Sequence, residues 1–371
     1  MDRFYFDHNA TTPVASEVLA AMLPALQDCF GNASSIHRFG QEARQRVENA
    51  RREVAALLNA DPGEIVFTSG GTEADNLAVF GIASQGGHVI TTAIEHPGVL
   101  NACGQLPDVT YVSAGASGVI DPDDVRKALR PDTKLISVMH ANNELGTVQP
   151  LAEIAAIVRE AGVTLHSDGV QAAGKVPIDV KALGVDLYAI SGHKLYAPKG
   201  VGALYIRKGV QLKPVMYGGR HERGIRPGTE NVPGSVALGE AARIAREHMC
   251  DSTLRDRLEA GILASIPNCH RNGTGERTPN TANIRFDGIE GESLVIALDL
   301  RGFAVSSGAA CSSGAVEPSH VLTAIGLSKD QARSAIRFSL GRSNTAEQVD
   351  ALIQAVASAV GQLRKMSPAY A

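Results

Sequence analysis

Short apolar runs alternate along this chain with stretches whose hydrophobic positions repeat at helical spacing. Residues 64–68, 88–92, 134–139, 163–168, 185–190 and 202–206 read as strands. Residues 73–83 and 154–161 read as helices between them. Ahead of these, residues 13–30 predict a helix with Thr12 as N-cap, Pro13 in the first turn and a kink at Pro24. A charged helix follows over 41–58, with Val47, Val54 and Leu58 on one face. Strands separated by helices predict an α/β fold around a mainly parallel sheet covered on both faces. After about Ala241 the texture changes. A helix over 235–249, apolar segments at 281–286, 293–300 and 334–340, and a terminal helix over 346–363 predict a smaller α/β unit.

Composition narrows the class. A chain of 371 residues has room for two or three domains. With 44% hydrophobic and 20% charged residues it carries enough apolar mass to fold, which excludes wholesale disorder. A net charge of −4 argues against a dedicated nucleic-acid or membrane-surface protein, and the absence of Trp weakens any base-stacking platform. The 38 glycines lack a collagen period and point to tight turns and close backbone approaches. The five cysteines are odd in number and form no Cys-x-x-Cys, so neither a zinc ribbon nor a disulfide framework is expected. The N-terminus lacks a basic start followed by an apolar run, and no stretch reaches membrane-spanning length. The expected compartment is the reducing cytoplasm.

Chemistry concentrates at strand ends. Thr68-Ser69-Gly70-Gly71-Thr72-Glu73 joins a strand to a helix through glycines and would offer free N–H groups to an anion. It is neither Walker A nor G-x-G-x-x-G, and an ordinary βα turn would look the same. Ser191-Gly192-His193-Lys194 follows another strand, where α/β sheets bind ligands. A surface lysine is the bland reading; a desolvated lysine there is the residue type for a Schiff base. Asp168, also at a strand end, suits a metal ligand, a helix cap or the partner of a cationic ring. Cys311 lies in a run of Gly, Ser and Ala with almost no packing groups, which leaves its thiol available for reaction.

Taken in order, these motifs are specific. They include the strip Phe6-Asp7-His8-Asn9-Ala10-Thr11-Thr12-Pro13, Glu95-His96, Asn142-Asn143-Glu144 and Ser306-Ser307-Gly308-Ala309-Ala310-Cys311-Ser312-Ser313-Gly314. The chain resembles, nearly end to end, the pyridoxal phosphate (PLP)-dependent cysteine desulfurases of the NifS/IscS kind, in the class V aminotransferase superfamily. The resemblance implies the fold type I, aspartate-aminotransferase-like architecture. A large PLP-binding domain over 13–248 would hold a seven-stranded sheet, and a small domain of 1–12 and 249–371 would carry the Cys311 loop. It implies that Lys194 carries the cofactor and that Asp168 pairs with its ring nitrogen. Gly71, Thr72, Ser191 and His193 would bind the phosphate, with Thr229 reaching it from a second subunit of a homodimer. His96 would stack on the ring and assist proton transfer, Asn143 and Gln171 would touch its substituents, and Arg342 would hold the substrate carboxylate. The implied reaction turns L-cysteine into L-alanine and leaves the sulfur as a persulfide on Cys311. An acceptor such as an iron–sulfur scaffold protein would then take it; no membrane, nucleic-acid or metal partner is implied. A selenocysteine lyase, or another PLP-dependent lyase or aminotransferase, is the alternative within enzymes; a sulfur carrier or an inactive PLP-binding protein is the alternative outside them. Gly169 departs from the family pattern, which often has Ala there, and little effect is expected from it.

Overall fold

The computed structural model describes residues 3–307 and 317–366. Among the described residues there are twelve strands: β1 (Phe4–Tyr5), β2 (Ile65–Thr68), β3 (His88–Thr92), β4 (Val109–Val112), β5 (Thr133–Ser137), β6 (Thr164–Asp168), β7 (Leu187–Ser191), β8 (Gly202–Ile206), β9 (Cys269–Arg271), β10 (Thr281–Phe286), β11 (Phe303–Ala304) and β12 (Ala335–Ser339). Seven of them form one sheet in the order β2-β8-β7-β6-β5-β3-β4. All its pairings are parallel except those of β8, which runs antiparallel to both neighbours. Every residue of β3, β7 and β8 is buried, as a sheet covered on both faces requires. The mainly parallel sheet expected from the alternation is therefore present. The strand β4, with its partly exposed positions, carries too weak an apolar run to announce itself.

Helix α2 (Arg38–Leu58) buries Ala43, Val47, Ala50, Val54 and Leu58, one stripe at helical spacing. His37 caps its start by accepting the Gly40 N–H, and Asn59 ends it in the left-handed conformation, φ 54°. Helix α1 (Ser16–Gln27) starts later than its sequence predicts, after Ala15. Thr12 is not its cap: the Thr12 hydroxyl donates to the His193 carbonyl at 3.0 Å and accepts the Tyr196 N–H at 2.9 Å. That long-range pairing fastens the N-terminal strip to the turn bearing Lys194.

A second apolar cluster lies apart from the large sheet. Phe6 joins Ile284, Phe286, Phe338, Val349, Leu352 and Val356 in it. Beside it β12, β10 and β9 form a three-stranded antiparallel sheet, and β1 pairs in parallel with β11. Residues from the two ends of the chain thus share one core. Among the described residues, no helix is long and apolar enough to cross a membrane.

Gly169, next to Asp168, has a role that its sequence neighbourhood hides. A Cβ there would lie 2.0 Å from Tyr188 ring carbons. Tyr188 fills that space, and its hydroxyl reaches His140 Nδ1 at 2.7 Å. Burial keeps the His140 imidazole neutral, its pKa pushed down to about 4, so the ring nitrogen accepts. The expectation of little effect at this position is thereby revised. Gly169→Ala is expected to cost about 1–3 kcal/mol through overpacking. In a Tyr188→Leu background the same change should cost much less. Urea unfolding of the four proteins measures the difference, and equal costs in both backgrounds would refute the coupling.

Candidate active site

A cleft of about 340 Å³ opens at the carboxyl ends of β6 and β7, within the range of small-molecule sites. Asp168 enters from the end of β6, Ser191 from the end of β7, and His193 and Lys194 from the short turn that follows. Gly71 and Thr72 open helix α3 (Gly71–Ala83), and His96 caps helix α4 (Pro97–Cys103). Asn143 and Gln171, also anticipated from the sequence, line it too, and Asn9, Asp75, Met139 and Arg337 share the lining with them.

One end of the cleft suits an anion. The first N–H groups of α3 have no partner within their own helix. A Cβ at Gly71 would sit 2.8 Å from Val170 Cγ2, so only glycine keeps this corner open. Chain packing behind it is equally close, since a Cβ at Gly202 would meet Gly70 Cα at 2.7 Å. His193 approaches Thr11 Oγ1 at 3.1 Å; burial and the charge of Lys194 keep its imidazole neutral, with the pKa lowered to about 4.

The floor is acidic. Asp168 Oδ1 accepts the Val170 N–H at 2.9 Å. Burial raises its pKa, while His96, that N–H and Lys194 oppose the rise. Asp75 and Glu95 are buried close by, and burial plus mutual repulsion raises both. His166 hydrogen-bonds Ser137 Oγ through Nδ1 at 2.8 Å, while its Nε2 stands 3.5 Å from Asp75 Oδ1. Neither of those two facing atoms has a hydrogen-bond partner. The cation belonging opposite this floor is Lys194. Its Nζ donates to the Asn9 carbonyl at 2.5 Å and the Ala10 carbonyl at 2.6 Å. Burial, with Arg337 nearby, lowers its pKa to about 8, against the pull of Asp168 and Asp7.

His96 Nδ1 accepts the Gly98 N–H at 3.0 Å, and burial lowers the pKa of the ring. Gln171 Nε2 donates to the Asn9 carbonyl at 2.9 Å. Among the described residues Asn143 Oδ1 is buried without a hydrogen-bond partner, an acceptor left open beside the cleft. An anion corner, a buried carboxylate, a lowered-pKa amine and an orphaned amide oxygen together fit a phosphorylated pyridine aldehyde. The charge on such a ring nitrogen would add to the pull of His96 and Lys194 in holding the buried Asp168 ionised.

Arg342 and Arg337 exchange the places that sequence alone would give them. Arg342 is outside the cleft lining; its guanidinium lies 5.7 Å from the Tyr196 ring centroid and 3.6 Å from Glu17. Arg337, on β12, lines the cleft, donating to Asp7 Oδ1 at 2.7 Å and the Asn143 carbonyl at 3.1 Å. The signal for it was available: an arginine in mid-strand, within Ala335-Ile336-Arg337-Phe338-Ser339, whose positions are all buried. Asn9, Asp75 and Glu95 stood inside motifs read for their neighbours. Thr229 is exposed and outside this chain's own cleft lining, and Cys311 lies outside the described residues.

Glu95 sets a pH dependence. Burial pushes its pKa up to about 8, despite hydrogen bonds from Met139 N–H and the Thr92 hydroxyl. A carboxyl that is protonated folded but ionised unfolded makes stability fall as pH rises. For Glu95 the fall spans 4.5, its ordinary value, to about 8. Its steepest slope is about 1.4 kcal/mol per pH unit. Glu95→Gln should flatten the profile of urea-derived stability across that window relative to the parent. Parallel profiles would show that Glu95 is ionised when buried.

Comparison with known proteins agrees with this geometry. Residues 4–352 match the Aminotransferase class-V family. A cysteine desulfurase of Trichormus azollae is 48% identical over 381 residues, covering 99% of this chain and 95% of the relative. A solved structure of a NifS-like protein superposes with a TM-score of 0.90 at 38% identity, covering 97% of this chain and all of that one. SspA, solved in complex with cysteine, superposes with a TM-score of 0.82 at 40% identity, covering 91% of this chain and 98% of that one. The chain belongs to the class-V aminotransferase family, among its cysteine desulfurases.

Proposed function

We propose that this enzyme is a PLP-dependent cysteine desulfurase that converts L-cysteine to L-alanine and takes up the sulfur as a persulfide on Cys311. The observation that carries the reading is the placement of Lys194 and Asp168 in one cleft with Arg337. The cysteine-bound SspA structure supports the substrate. In this reading Lys194 holds the cofactor, Asp168 pairs with its ring nitrogen, and Gly71, Thr72, Ser191 and His193 hold its phosphate. Thr229 reaches that phosphate from a second copy, His96 lies against the ring, and Asn143 and Gln171 touch its substituents. When bound, PLP supplies an electron sink that labilises bonds at the substrate's α and β carbons.

The chain's own groups do the rest. An Arg fork matches a carboxylate better than any other side chain, so Arg337 takes the substrate carboxylate, in place of Arg342. The Lys194 amine, with its pKa near 8, holds and returns the proton at the substrate's α carbon. The Cys311 thiolate attacks the substrate sulfur; the carbon–sulfur bond breaks and a sulfur–sulfur bond forms on Cys311. Alanine leaves, and an acceptor such as an iron–sulfur scaffold protein takes the sulfur.

A homodimer is part of this reading. Leu19, Leu23 and Leu26 are exposed on α1, and Phe30 and Phe39 stack nearby with ring centroids 5.3 Å apart, also exposed. An apolar surface of that kind suits a partner copy. The division into 13–248 and 1–12 with 249–371 belongs to the same proposal, supported by the separate apolar cluster around Phe6. The proposed compartment is the cytoplasm, in keeping with free Cys29, Cys103, Cys250 and Cys269.

Four variants test the assignments. Lys194→Ala should abolish both the visible absorbance of the purified protein and alanine formation. Cys311→Ser should keep the absorbance and lose the persulfide in mass spectra; sulfide release at the parent rate would remove Cys311 from its role. Arg337→Gln should lower kcat/KM for cysteine by roughly 30- to 1,000-fold, the equivalent of about 2–4 kcal/mol. Arg342→Gln should change it by less than about threefold, as for an exposed ion pair. The reverse order would return the carboxylate to Arg342.

A further inference from the structure

Next to the cleft, and sharing Lys194 with it, lies a small pocket of about 30 Å³. Its charged lining is all of one sign: Lys175, Lys194 and Arg342, with no carboxylate. Lys175 is the unusual member. It is buried, and its Nζ donates to Asn9 Oδ1 at 3.0 Å and Gln171 Oε1 at 2.5 Å. An ammonium has three N–H donors, so one is left over. Among the described residues no carboxylate forms an ion pair with it, whereas Arg337 has Asp7 and Arg342 has Glu17. A buried cation without a counter-charge is costly and either loses its proton or takes an anion.

His8 faces the same pocket. It is 2% exposed, and its ring is packed face to Gly341, where a Cβ would come within 2.2 Å. The Tyr5 backbone pulls weakly on the ring, but neither nitrogen has a partner within hydrogen-bond geometry. A neutral imidazole carries one N–H donor, and among the described residues only the Tyr5 backbone stands near enough to draw on it. Cys250, Tyr196 and Arg342 close the pocket on the outer side. Cys250 and Arg342 also line an open groove of about 290 Å³, which leads in from solvent.

We propose that this pocket binds one small monovalent anion of halide or hydrosulfide size, held by the Lys175 ammonium and the His8 ring, with Arg342 at its mouth. Size sets the class. A single water needs about 10–15 Å³ on this measure, so the space admits one or two such occupants and excludes phosphate, sulfate or a carboxylic acid. A carboxylate-free lining with unsatisfied donors separates an anion from water as the preferred occupant. Lys194 lines this pocket as well as the cleft, but the hold on the anion rests on Lys175, His8 and Arg342, so either reading can fail without the other.

The test uses bromide on the intact protein. Crystals grown with sodium bromide should show an anomalous peak between Lys175 and His8, absent from Lys175→Met crystals. In solution the parent should broaden the chloride resonance beyond the Lys175→Met protein, and added bromide should compete the excess away. Should Lys175→Met fail to fold, Arg342→Gln serves instead and should weaken the competition by roughly threefold. Hydrosulfide added to the same samples should displace chloride as bromide does, and failure of both ions to do so would overturn the proposal. Water alone in the pocket, an adventitious ion only, shown by a peak that survives Lys175→Met, or equal broadening in both proteins overturns the proposal.

Discussion

Every buried polar group in this molecule needs a partner, and around the cleft one residue meets most of that demand. The Asn9 carbonyl accepts Lys194 Nζ and Gln171 Nε2. Its Oδ1 accepts Lys175 Nζ and Asn280 Nδ2, and its Nδ2 donates to the Asn143 carbonyl and Thr281 Oγ1. Its N–H donates to Ser339 Oγ. These partners come from the large sheet's loops and from β10 and β12, so one side chain and its peptide lock both cores to the reacting amine. The lysine is positioned by backbone carbonyls that belong to a different end of the chain.

Electrostatics follows from that arrangement. Asp75, Glu95 and Asp168 are all buried; burial raises each of them, and the charge of Asp168 pushes Asp75 and Glu95 up further. Lys194 and Arg337 stand in the cleft with them, Lys175 lies in the adjoining pocket, and burial lowers both lysines, Lys175 to about 7 and Lys194 to about 8. Such a site holds charge under tension, and a bound group with both a cationic ring and an anionic phosphate relieves it on each side. The same logic explains why the lysine's pKa falls to where an amine exchanges protons readily near neutrality.

Substitution at one position is tied to packing at another. Gly169 and Tyr188 occupy one volume between them, and the tyrosine hydroxyl then satisfies His140. Reading Gly169 alone, as a missing methyl beside Asp168, misses the ring that takes the methyl's place. Thr12 teaches the same lesson, since its hydroxyl spends itself on the Lys194 turn and not on a helix end.

By itself the sequence determined the local chemistry: strands ending at Asp168 and Ser191, a glycine turn before α3, and a lysine after a strand, because these depend on neighbours within a few residues. It also carried the family through the order of those motifs. Tertiary structure decided what requires distant segments to meet. Arg337 and Arg342 are five positions apart, yet β12 aims one into the cleft and the chain beyond Gly341 sends the other to Tyr196. His8 and Lys175, far apart along the chain, line one small pocket, and no periodicity relates them. Spacing along the chain encodes direction within one element, whereas the meeting of two elements is set by how their apolar faces pack.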